Sequence, residues 1–219
     1  MSFNNIKTIF LVIIIANVIT QPDIKRADLC SCLINDRIYF SGGLNGYDNN
    51  PTSDFFYLDL AEKFDTSPPN SLPFVIVNNT SFTHRDSSLI SSSTGDAIYL
   101  FLGESSSKDD NLVYKYELAS NEWKQIPSLL TSGSEIILPK NLYEAPAITD
   151  GIQDIVYLYG APTKYKMYTY NLTTNYWNST TIAPTSYHLN SYGAIMLNDE
   201  ILYIGGQIKL IMKNNLWIR

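Results

Sequence analysis

The sequence predicts an all-β protein assembled from repeats of one supersecondary unit, and two observations point there first. Fifteen residues, Leu29 to Gly43 (LCSCLINDRIYFSGG), align without a gap onto Tyr192 to Gly206 (YGAIMLNDEILYIGG), with five identities. Both copies read as two strands joined by an Asn-Asp turn and closed by a Gly-Gly pair. The second observation is composition. Sixteen Tyr, nine Phe and three Trp among 219 residues suit strands buried on both faces, and no stretch after residue 21 keeps a helical period.

The elements follow in order. The hairpin's second strand and its glycine recur as Ala97 to Gly103 (AIYLFLG) and Ile155 to Gly160 (IVYLYG). Ile38, Ile98, Val156 and Ile201 thus hold equivalent positions, about 45 to 60 residues apart. Three units then pass through a variable loop into a third strand ending acid-or-amide then Leu, with a bulky aromatic after it. These read FYLDLAEKF (Phe56 to Phe64), YKYELASNEW (Tyr114 to Trp123) and YTYNLTTNYW (Tyr168 to Trp177). Glycine after strand two lets the backbone turn where a Cβ would clash, and an aromatic opening strand four fills the wedge between neighbouring units. A four-stranded unit of this length is the blade of a β-propeller.

Gly42-Gly43, Gly103, Gly160, Gly205-Gly206, the Tyr-x-Tyr-acid/amide-Leu strands, Trp123 and Trp177 together resemble the kelch repeat, the family that includes the central propeller of galactose oxidase. The pair reads Leu102-Gly103 in the second unit and Gly160-Ala161 in the third, and Phe64 replaces Trp in the first. The resemblance covers residues 27–219 and implies a kelch-type propeller of four-stranded antiparallel blades. Blade 1 is expected over 27–80, blade 2 over 83–138, blade 3 over 143–187 and half of a fourth over 188–219, an incomplete ring. Asn215 to Arg219 resembles the entry to a third strand. Kelch propellers usually close with six or seven blades. The expectation is therefore a truncated part of a longer protein, or copies that assemble to close the ring. Open faces on the terminal blades are expected to drive self-association.

The N-terminus carries its own pattern. Met1 to Lys7 has one positive charge and no acid, and Thr8 to Thr20 (TIFLVIIIANVIT) is apolar over a length that suits a secretory signal peptide over residues 1–20. It falls short of the ~20 residues that span a bilayer. An uncleaved membrane anchor and a buried strand are the alternatives. Secretion is consistent with four N-glycosylation sequons at Asn78, Asn79, Asn171 and Asn178. Asn78 and Asn178, in expected loops or strand ends, are the better acceptors, while Asn171 occupies a repeat position that points to a structural role.

Fifteen basic against 21 acidic residues give a net charge of −6 with no basic cluster, which argues against nucleic acid and anionic membrane surfaces as partners. Cys30 and Cys32 share one side of a strand about 6.6 Å apart, too awkward for a mutual disulfide, and read as small side chains on a crowded inner strand. A copper-radical oxidase of the galactose oxidase type needs two His, two Tyr and a Cys around one metal. Here the only histidines, His84 and His188, stand about two blades apart, and with Arg85 they fit ties between blades. Asp109-Asp110 reads as a solvated loop. No hydrolase elbow, phosphate loop or zinc motif is present, so no catalytic residue, metal or cofactor is expected. Recognition is placed on the variable loops after strand two: Leu44 to Asp54, Glu104 to Asn111 and Ala161 to Tyr165. Tyr47 with Asp48, and Lys164 with Tyr165, set an aromatic platform beside a polar group, which suits a protein partner or an extracellular glycan. The reading is a secreted, non-catalytic protein-interaction scaffold. The alternative is a carbohydrate-binding or galactose-oxidase-like propeller whose catalytic part lies outside this chain.

Overall fold

The computed structural model describes residues 26–61, 63–64, 72–107, 112–130, 138, 142–143, 145–150, 152–159, 166–181, 187–197 and 200–210. For 187–191 and 206–210 the backbone alone is described. The apolar N-terminal segment, Asp109, Asp110, Gly160, Lys164, Tyr165 and the C-terminal Asn215 to Arg219 lie outside the described residues, as does the side chain of His188. All elements among the described residues are strands, and the protein is all-β.

Strands β1 (Arg26–Ala27), β2 (Cys30–Ile34), β3 (Arg37–Ser41), β4 (Leu44–Asn45), β5 (Phe55–Asp59) and β6 (Phe74–Ile76) build the first repeat. Four of them form an antiparallel meander in the order β2-β3-β5-β6, while β1 and β4 make a short ribbon. The second repeat holds β7 (His84–Arg85), β8 (Ser88–Ser91), β9 (Ala97–Phe101), β10 (Glu104–Ser105), β11 (Val113–Glu117) and β12 (Glu122–Ile126). Its meander is β8-β9-β11-β12, with β7 paired to β10. After β13 (Leu129–Leu130) come β14 (Ala147–Thr149), β15 (Ile155–Leu158), β16 (Lys166–Asn171) and β17 (Tyr176–Thr181), a third meander to which β13 adds as a parallel strand outside β17. A hairpin of β18 (Tyr187–Leu197) and β19 (Glu200–Leu210) closes the described chain. The first strands β2, β8, β14 and β18 lie side by side in that order. Between them is a cleft of about 420 Å³ whose lining includes Cys30, Ser31, Ser88, Ala147 and Ala194, the small side chains expected on crowded inner strands.

One backbone bond recurs in every complete unit at the Leu of the acid-or-amide then Leu signature. The N–H groups of Leu60, Leu118 and Leu172 donate to the carbonyls of Asp36, Asp96 and Asp154, each in the turn between a sheet's first and second strands. The turns also link sheet to sheet. Asn35 Nδ2 donates to Gly95 O at 3.3 Å, and Ser93 N donates to Asp154 Oδ1 at 2.9 Å.

Alternation along the strands buries both faces of the second sheet. Ile98, Leu100 and Tyr116 pack toward the first sheet against Cys32, Tyr39 and Phe55. Tyr99, Phe101 and Val113 pack toward the third against Val156, Tyr170 and Trp177. Burial of this much apolar and aromatic surface, about 25 cal/mol per Å², is what holds neighbouring sheets together.

Three sequence expectations need correction. Phe64 does not open a fourth strand; that strand is Phe74–Ile76, and Phe64 packs instead on the outer face of the first sheet. Gly205 and Gly206 do not end a strand, because β19 runs through both. Gly205 has φ 75° but nothing within 4 Å of an added Cβ, so no close approach forces a turn there. Nor is the first sheet's outer face bare. Ile38, Phe40 and Leu58 are buried, with Phe64, Leu72 and Phe74 packed against them, because the long β5–β6 connection supplies apolar residues in place of a neighbouring sheet.

Candidate functional site

Two of the three variable loops meet on one rim, and segment 80–84 is the seam between them. From the first loop, Thr52 O accepts from His84 N at 3.0 Å and Ser53 O accepts from Thr80 N at 3.1 Å. From the second, Ser106 N donates to Thr83 O at 2.9 Å, and Thr83 N returns the bond to Ser106 Oγ at 3.0 Å.

His84 locks this seam from beneath. It is fully buried, with Nε2 2.9 Å from Ser41 Oγ and Nδ1 3.1 Å from Ser87 Oγ. Burial lowers its pKa to about 4, so it is neutral and structural at ordinary pH. Its carbonyl accepts from Gly43 N at 2.8 Å, and a Cβ on Gly42 would stand 2.5 Å from its ring. Gly42 is thus required by the histidine, and Gly43 by Ala27 and Leu29, which its Cβ would meet, each in addition to its φ of 64° or 87°. Arg85 points the other way, its Nε 3.1 Å from Glu104 Oε2 across the β7–β10 pair.

Tyr47 sits at the tip of the first loop and is 66% exposed. Its N–H donates to Asn45 Oδ1 at 3.0 Å, and Asn50 N donates to Asp48 Oδ1 at 3.1 Å, which holds that carboxyl below the usual range. Two side-chain turns of this kind fix the local backbone bonding of the tip without burying it. Lys164 and Tyr165, on the third loop, lie outside the described residues.

Beside the seam opens a cleft of about 480 Å³ that sequence reasoning did not identify. Phe82 and Tyr114, centroids 4.5 Å apart, and Trp123 form its aromatic wall, with Ser81, Ser106 and Gln125 around it. Trp123 donates through Nε1 to Asn78 O at 3.2 Å, so the indole is anchored at the cleft. Tyr114 and Gln125 are paired across β11 and β12, which puts both on one face of the second sheet. The Tyr-x-Tyr strand was legible in the sequence; its register with Gln125 and the arrival of Phe82 from outside the sheet were not.

A larger cleft of about 820 Å³ lies at the opposite end of the first two sheets, among the turns at Asn35–Asp36 and Leu118–Asn121. There Arg37 stacks over the Tyr57 ring at 4.5 Å and its Nε is 3.2 Å from Asp59 Oδ2. Val75 and Ile76 border it.

The sequons divide by what their amides do. Asn78 is exposed, with Nδ2 donating to Asn121 O at 3.0 Å. Asn79 is exposed and accepts from Phe55 N at 3.1 Å. Asn171 Oδ1 caps a turn, accepting from Thr173 N and Thr174 N at 3.0 and 2.8 Å. Asn178 is exposed within β17, opposite Thr169. Cys30 and Cys32 are both buried and free, and burial pushes both thiols far up, which leaves them unreactive. No group of three or more potential metal-ligating side chains is found among the described residues.

No protein-family model matches this sequence, and no curated protein matches it.

Proposed function

We propose that this chain is a secreted, non-catalytic kelch-type propeller, or part of one, that binds a protein partner through the rim built by its strand-two loops. Three antiparallel meanders whose first strands lie side by side support the ring geometry. The observation that carries the binding reading is the rim itself: two loops from successive repeats, tied through segment 80–84, present Tyr47 in an exposed, hydrogen-bonded loop tip. Exposed aromatics on preorganised loops are characteristic anchors of protein interfaces. The acidic balance selects partners that are neutral or basic.

A second reading is favoured by the uncharged cleft. Phe82, Tyr114 and Trp123 offer ring surface and Ser81, Ser106 and Gln125 offer hydroxyl and amide groups, a combination that also fits a neutral sugar. One experiment separates the two. Protein secreted from a eukaryotic host is screened against arrayed extracellular protein domains and arrayed neutral oligosaccharides, beside Tyr47→Ala and Gln125→Arg. Binding to a protein domain, weakened about tenfold by Tyr47→Ala, supports the scaffold. Binding to sugars alone, lost in Gln125→Arg, replaces it with the second reading. Protein retained in the cytosol with an intact Met1 removes the secretory part of the reading.

A further inference from the structure

The three meanders end in three outer strands that treat their free edge differently. The edge of β17 is covered: Leu129 and Leu130 lie along Tyr176 and Trp177 as a short parallel strand, with Leu129 N donating to Asn175 O at 3.2 Å. The edge of β12 carries Glu122 and Lys124, charges of the kind that discourage further pairing. Among the described residues the edge of β6 has neither protection. It reads Phe74-Val75-Ile76, pairs only with β5 among the described residues, and leaves Val75 41% and Ile76 75% exposed.

The register shows which groups of β6 are open. Val77 N donates to Phe55 O at 2.9 Å, and Val75 is paired with Tyr57 two residues on, so these positions bond inward. The intervening Ile76 stands opposite Phe56, with its N–H and C=O directed away from β5. An apolar side chain and an open backbone donor and acceptor thus coincide at one residue.

We infer that the outer edge of β6 is a docking edge for an extended apolar segment of a partner protein, taken up as an added strand. This goes beyond the rim reading by naming a second surface and the chemistry of its occupant, and it rests on the reading that the chain binds proteins. The chain itself holds an example of such an occupant, since the equivalent edge of the third sheet accepts two consecutive leucines. The 820 Å³ cleft running past Val75, Ile76 and Val77 gives room for side chains of such a segment. A second copy of this chain is a poorer fit, because each copy brings a net charge of −6. Backbone pairing supplies affinity in this mode and the flanking side chains supply selectivity.

The test uses the full chain and a synthetic peptide copying residues 126–132 (IPSLLTS). Titrated by fluorescence anisotropy, the labelled peptide is expected to bind saturably, and the same peptide with both leucines changed to aspartate is expected not to bind. Ile76→Pro removes the outward N–H without touching an inward bond and is expected to weaken binding about tenfold or more. Ile76→Lys, which copies the charged edge of β12, should act alike and covers the case in which the proline variant unfolds. Peptide binding that neither variant weakens, or no binding at millimolar peptide, overturns the inference. So does a concentration-dependent dimer abolished by Ile76→Lys, which gives the edge to a second copy. Loss of the inference with array binding through Tyr47 intact removes the edge alone; failure of both removes the protein-binding reading.

Discussion

His84 illustrates how one buried residue can set a pH limit. Its folded pKa is near 4 against an ordinary 6.5, so between these values the unfolded chain binds a proton that the folded chain refuses. Stability from this group is full above about pH 6.5 and falls as pH drops toward 4, by on the order of 3 kcal/mol. Denaturant midpoints at pH 7 and 4.5 should show that loss, and His84→Gln should flatten this part of the dependence. Trp177 gives a second residue-scale expectation. It is fully buried, 4.8 Å from Tyr170 and 6.0 Å from Phe101 between centroids, whereas Trp123 is only partly buried. Trp177→Ala should cost about 3 to 5 kcal/mol and Trp123→Ala clearly less. Equal losses in chemical denaturation would mean that the repeat does not bury its two tryptophans unequally.

At the scale of elements, the turn between third and fourth strands depends on a pair that recurs in two repeats. Tyr116 donates its hydroxyl to Asn121 Oδ1 and Tyr170 to Asn175 Oδ1, both at 3.0 Å. The two asparagines have φ of 55° and 61°, a region that suits asparagine better than most side chains. The first repeat has Leu58 and Lys63 in place of the tyrosine and the asparagine, so it lacks this pair, and among the described residues its fourth strand is Phe74–Ile76. Asn175→Ala should therefore cost about 1 to 2 kcal/mol, and Asn175→Gly should cost less because glycine accepts the positive φ while still losing the bond. A glycine variant weaker than the alanine variant would show that backbone strain is not the controlling factor. Gly103 is a further constraint, since an added Cβ would run into the backbone of Arg85 and Asp86.

Across the whole molecule the two ends differ. The outer face of the first sheet is buried, while the last hairpin leaves Leu202 48% and Ile204 50% exposed on one face. Its other face is occupied, with Tyr192 and Tyr203 in edge contact at 5.2 Å. Self-association of the chain from residue 21 onward should run through this hairpin face and not symmetrically through both ends. Sedimentation of Leu202→Lys combined with Ile204→Lys is expected to show less association than the parent. Unchanged association would place the contact elsewhere.

What the sequence determined by itself was the periodic part of the protein. The Asn-Asp turn, the glycines after strand two and the alternating aromatic strands are local patterns, and backbone sterics and side-chain alternation translate them into hairpins, with both faces buried in the second sheet and one face left exposed in the last hairpin. Tyr47 and Asp48 were legible for the same reason, because a polar, glycine-containing loop between two strands has few places to go but the surface. Tertiary structure decided the rest. The cleft beside Trp123 needs Phe82 from a connecting segment, the covered edge of β17 needs Leu129 and Leu130 from another, and the buried first face needs Phe64 and Leu72 from a third. Phe82, Leu72, Leu129 and Leu130 lie outside the repeat, so no period marks them, and Phe64 holds the repeat's aromatic position but packs on a different face. Two of the three arrangements are made by apolar contact whose direction is not written in any local motif. The third, an added strand, is made by backbone hydrogen bonds that every residue but proline can form, which is why only the folded chain reveals where they go.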